Sequence, residues 1–182
     1  MIPATPTRES VTNVSDIASF SIATNAKAFR VLMSQLYTDK VTAAIRELWT
    51  NAYDAHVEAG CARTPIDAQL PTLLNPVFVV RDYGISMTDD QVRNLYTTFF
   101  SSSKETTNDQ VGMLGLGSKA PLAYSDHFNI RVFMDGECRV YMVGLDEHEV
   151  PFLASVGAMP SDEPRGVEIS FAVQLDDIER FT

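Results

Sequence analysis

Residues 40–58 can fold in only one regular way. Val41, Ala44, Ile45, Leu48, Trp49, Ala52 and Ala55 recur at helical spacing, while Glu47, Asn51, Asp54 and Glu58 fall on one narrow stripe away from them. Asp39 is placed to cap this helix and Gly60 to end it. Trp49 and Tyr53, one turn apart on the packing side, are expected in the core. The polar stripe alone does not decide between a solvated face and a working one.

The rest of the chain has to cover that helix. With 182 residues, 45% of them hydrophobic, it can bury the core of one domain. Residues 1–19, with Pro3, Pro6 and many Ser and Thr, read as a loose arm. A short strand is expected over 20–22, and a helix over 26–36 capped by Asn25, with Ala28, Val31, Leu32 and Leu36 on its apolar side. Strands are expected near 66–70 and over 77–80, and a helix restarts at Thr88 and runs to about residue 95. The polar run 101–110 is expected as a mobile surface segment. Strands over 128–134 and 138–145 are joined by Asp135-Gly136, a strong hairpin signal, and two more follow at 150–156 and 167–173. The expected domain is residues 20–174, with 175–182 beginning a helix that leads out of it.

Charge and cysteines narrow the possibilities. The formal net charge of −10, with 14 scattered basic residues, argues against a nucleic-acid footprint. It does not argue against a small anion held by backbone N–H groups. Cys61 and Cys138 fit no disulfide framework or zinc pattern, so a reducing compartment is expected. No basic segment followed by an apolar run opens the chain, and no apolar run reaches bilayer length, so no transmembrane segment is expected.

Three stretches together carry chemistry. Asn51 offers an oxygen suited to Mg²⁺, and Glu47, one turn earlier, is placed to orient or deprotonate a water. Asp82 leaves a buried strand as an acceptor for the exocyclic amine of adenine, and Gly84 is expected to leave room for the base. Gly112, Gly115 and Gly117 let backbone approach a phosphate, and Lys119 would add a charge. The glycine run is not a P-loop, because Ser118-Lys119 reverses the required order, and its spacing is not that of the dinucleotide fingerprint.

In this order, Glu47-x-x-x-Asn51-Ala52-x-Asp54-Ala55, Asp82-x-Gly84-x-x-Met87 and Gly112-x-x-Gly115-x-Gly117-x-Lys119 resemble the gyrase/Hsp90/histidine-kinase/MutL (GHKL) ATPase superfamily. The resemblance implies an α/β (α+β) two-layer sandwich of the Bergerat type: a mixed, mostly antiparallel sheet with helices on one face. It implies ATP and Mg²⁺ as ligands, with Glu47 activating water and Asn51 holding the metal. Asp54, Asp82, Gly84, Met87, Ser103, Lys104, Gly112, Gly115, Leu116, Gly117, Ser118 and Lys119 would line the nucleotide, and the run 101–110 would be a lid. Within the superfamily, Leu36-Tyr37-Thr38-x-Lys40, Arg46-Glu47-Leu48 and Phe100-Ser101-Ser102-Ser103-Lys104 are most similar to the rII A-type lysis-inhibition proteins of tailed bacteriophages. That narrower likeness implies a phage protein of the infected bacterium's cytoplasm, with peripheral attachment to the inner membrane as a further option.

Two departures matter. Ser86 stands where relatives often have glycine, and Val167 where many have a threonine whose hydroxyl helps hold the aspartate. Some relatives also take a catalytic lysine from a second domain, for which Lys104 and Lys119 are the nearby substitutes, so slow hydrolysis coupled to lid closure and an unknown protein partner is the first expectation, with a nucleotide-dependent homodimer as an option. The alternative is a nucleotide-sensing interaction module without significant hydrolysis. A histidine kinase ranks below both, since no phosphoacceptor helix is present.

Overall fold

The computed structural model describes residues 38–97 and 117–181. The expected arm, strand and helix before residue 38 and the polar run 101–110 lie outside the described residues. Helix α1 spans Lys40–Glu58, and Asp39 caps it as the sequence predicts, its carboxylate accepting from the Val41 and Thr42 N–H groups at 3.1 and 3.2 Å. Gly60, at φ 72°, sits just beyond its end.

Six strands follow: β1 Asp67–Gln69, β2 Val77–Arg81, β3 His127–Met134, β4 Glu137–Leu145, β5 Pro151–Pro160 and β6 Gly166–Ala172. They form one open sheet in the order β1-β2-β6-β3-β4-β5. Every pairing among the described residues is antiparallel, so the mixed character expected from the sequence is not found there. The β3–β4 hairpin turns on Asp135 and Gly136, both in the left-handed region at φ 55° and 77°, as a two-residue connection between right-twisted strands requires. β5 runs four residues past the expected end, because β4 pairs with it as far as Glu137↔Pro160, around an irregularity at Val140/Tyr141.

Alternation puts the core on one face of the sheet. Phe78 and Val80 of β2, Val167, Ile169 and Phe171 of β6, Phe128, Ile130 and Val132 of β3, and Tyr141 and Val143 of β4 are buried in one cluster. Val41, Ala44, Leu48 and Ala52 of α1 belong to it, so the helix lies on that face. The other face is more polar, with Arg131 of β3 bridging Glu168 of β6 at 3.1 Å. Helix α2, Asp89–Thr97, starts with a reciprocal capping box: Thr88 N–H donates to Gln91 Oε1 at 2.8 Å, and Gln91 N–H donates to Thr88 Oγ1 at 3.3 Å. Tyr141 of β4 donates to Asp89 at 2.9 Å and ties the sheet to this helix; burial and that carboxylate push its phenol up to about 12.

After Gly117–Lys119, a single 3-10 turn, comes the short helix α3, Pro121–Tyr124, with proline in its first turn, where its missing N–H costs nothing. Leu175–Phe181 is a 3-10 segment and not the α-helix expected to lead away. Its Phe181 is buried against Phe78, Tyr124 and Phe171, so apolar burial draws the segment back onto the domain. A second correction concerns Trp49 and Tyr53, which are 41% and 52% exposed. The core ridge of α1 runs through Ala44, Leu48, Ala52 and His56, and Trp49 and Tyr53 lie about a quarter-turn or more round from it. Among the described residues no helix is long and apolar enough to cross a membrane.

Candidate functional site

A cavity of about 400 Å³ lies between α1, α2 and the core face of the sheet. Val80, Val167 and Ile169 form its floor, and Asn51, Asp54 and Glu58 of α1 stand on one wall. Gln91, Asn94, Leu95 and Tyr96 of α2 form the opposite wall, while Gly117 and Ser118 close one part of the rim. Three of the four residues of the polar stripe of α1 thus face a concave space. An apolar floor with a few polar groups on the walls suits a small organic ligand.

Asp82, at the end of β2, lines the cavity and is only 6% exposed. Burial lifts its carboxyl above the usual carboxylate range, against the pull of hydrogen bonds from the Gly84 and Val167 backbone and of the Arg81 charge. Its Oδ1 accepts from Gly84 N–H at 2.9 Å, and its own N–H donates to the Val167 carbonyl at 2.9 Å. Val167 lacks a hydroxyl, yet the aspartate is held, because the backbone supplies the donors. Ser86, also buried on the cavity wall, donates its hydroxyl to the Gly166 carbonyl at 3.3 Å. Met87 lines the same wall.

Gly84 has a different reason from the one expected. It does not line the cavity; a Cβ there would overlap the Ala55 carbonyl group, so the glycine lets the loop pack against the backbone of α1. Gly117 is in a comparable position, since a Cβ would overlap Glu47 Oε2. Glu47 is half-buried beside the glycine turn, off the cavity lining, and its Oε1 accepts from the Arg46 guanidinium at 2.8 Å.

Lys119 also departs from expectation. It is 1% exposed and off the cavity wall, with Nζ donating to the Leu95 carbonyl in the last turn of α2 at 2.6 Å. Burial pulls its ammonium down to about 8. In this arrangement the lysine joins the glycine turn to α2 instead of facing the cavity. Ser103, Lys104, Gly112, Gly115 and Leu116 lie outside the described residues.

Sequence reasoning missed three contributors. Tyr96 packs a buried phenol on the wall, and burial next to the Asp82 charge pushes its pKa upward. Arg81 is buried with its guanidinium 4.1 Å from the Phe133 ring centre, and it donates to the Asp82 and Pro164 carbonyls. His56 is fully buried under the Asp82 loop. It continues the Ala44–Leu48–Ala52 ridge at i+4, a spacing that was visible in the sequence.

Among the described residues, no group of three or more His, Cys, Asp or Glu side chains could hold a metal ion by itself. Mg²⁺ does not require one, since it keeps several waters and shares its shell with phosphate oxygens, and Asn51 has the hard oxygen such a shell uses. Compared with models of known families and with curated proteins, the chain matches none.

Proposed function

We propose that the cavity binds ATP with Mg²⁺ and that the chain is a slow ATPase of the Bergerat type, in the GHKL manner. The observation that carries this reading is convergence: Asn51 and Asp54 from α1, Asp82 from the end of β2, and Gly117-Ser118 from the glycine turn border one space. These residues lie far apart in sequence, and a solvated helix face would not bring them together.

In this reading adenine lies toward Asp82, whose ionised carboxyl accepts the exocyclic amine, over the apolar floor of Val80, Val167 and Ile169. The phosphates lie toward Gly117 and Ser118, where small residues let backbone come near. Asn51 would hold Mg²⁺ there; when bound, the ion supplies charge neutralisation on the phosphates. Glu47 orients and deprotonates the attacking water. Closure over the occupied site would alter the surface offered to a protein partner, within a phage protein of the rII A type.

The Arg46–Glu47 ion pair favours a second reading. One carboxylate oxygen is already engaged by the guanidinium, which leaves fewer acceptor positions for a water, so a nucleotide-sensing module with little turnover fits the same cavity. Phosphate release at saturating Mg-ATP separates the two. For the ATPase, Glu47→Ala keeps ATP affinity within about threefold and lowers turnover about a hundredfold. Wild-type release equal to buffer favours the sensor, and Glu47→Ala turnover equal to wild type contradicts the role of Glu47.

A further inference from the structure

We propose that His56 is a positioning residue for base recognition, a role that rests on the nucleotide reading of the cavity. The Tyr83 N–H can only donate, and it meets His56 Nε2 at 2.7 Å, so Nε2 is the bare nitrogen. Nδ1 then carries the proton and donates to the Thr64 carbonyl at 3.1 Å. The ring is 0% exposed and neutral, with both nitrogens satisfied, which fixes its tautomer and its orientation.

Its partner is the residue next to Asp82. The loop leaving β2 is fastened to α1 at two points: Tyr83 N–H on the imidazole, and Ile85 N–H on the Ala55 carbonyl at 3.2 Å. Between them Gly84 lies against the α1 backbone and donates to Asp82 Oδ1. The carboxylate that would read the base is therefore aimed by a short rigid link whose one side-chain anchor on α1 is His56. Without the imidazole, a buried N–H loses its acceptor, and the loop must shift to satisfy it. A hydrogen bond to the base amine tolerates little displacement, whereas contacts at the glycine turn stay in place.

The inference separates base selectivity from phosphate binding. Affinities for Mg-ATP, Mg-GTP and Mg-tripolyphosphate are measured on the wild type, His56→Ala and His56→Gln. Gln is the conservative rescue, since its amide can accept from Tyr83 N–H and donate to the Thr64 carbonyl. We expect His56→Ala to lower the ATP-over-GTP preference about tenfold with tripolyphosphate affinity unchanged, and Gln to restore most of it. A wild type that prefers ATP, beside a folded His56→Ala that keeps the same preference, overturns the role of His56 alone. A wild type that binds none of the three overturns the nucleotide reading and this inference with it. Should the alanine variant not fold, the ring ¹⁵N shifts of the wild type still decide: the Nδ1–H tautomer supports the role, and the Nε2–H tautomer overturns it.

Discussion

Asp82 is under opposed demands. Its buried carboxyl resists ionisation, while the form that accepts an amine is the ionised one. Because its folded pKa lies above the unfolded value, its penalty is absent below about pH 4, where both states are protonated, and develops as pH rises through the folded pKa. Asp82→Asn keeps an oxygen for Gly84 N–H and removes the charge. It is therefore predicted to raise the ligand-free unfolding midpoint near neutral pH, with the gain vanishing below about pH 4, and to weaken ATP binding about tenfold or more. A midpoint lower than wild type at neutral pH would count against the account. On the nucleotide reading, stability is given up here for recognition, as happens at functional sites.

The walls of the cavity depend on how their helices are held. Thr88→Ala removes one half of the capping box of α2 and should cost about 1 kcal/mol, or roughly 3 °C in unfolding midpoint for a chain of this size. ATP-over-GTP preference should be unchanged, since Thr88 is not on the cavity; scanning calorimetry and competition binding check the two parts. These elements were legible to unequal degrees. Period, caps and the Asp135-Gly136 turn announce α1, α2 and the β3–β4 hairpin, because each is decided by local chemistry. The end of β5 is decided by its partner β4, and the 3-10 segment by the burial of Phe181, neither of which is local. The exposure of Trp49 and Tyr53 has the same origin: an apolar band wider than one core face leaves its margin uncovered by the described residues. At the candidate site, Asn51, Asp54 and Asp82, which the sequence pattern and its family resemblance single out, line the cavity. The contacts of Gly84, Lys119 and His56 were not legible, because what each touches is a backbone group from another element.

At the scale of the whole molecule, an antiparallel sheet with one apolar face and helices laid upon it leaves a gap between α1 and α2, and the polar residues of three stretches converge there. We propose that this gap holds Mg-ATP. Thermal unfolding of the wild type and of Asn51→Ala, each with and without Mg-ATP, tests it most directly. At about 100 times its dissociation constant a ligand adds roughly 2.7 kcal/mol, which is several degrees for a domain of this size. A cavity that holds Mg-ATP through Asn51 gives that rise in the wild type and loses it in Asn51→Ala. A wild-type midpoint that does not move with Mg-ATP would overturn this reading.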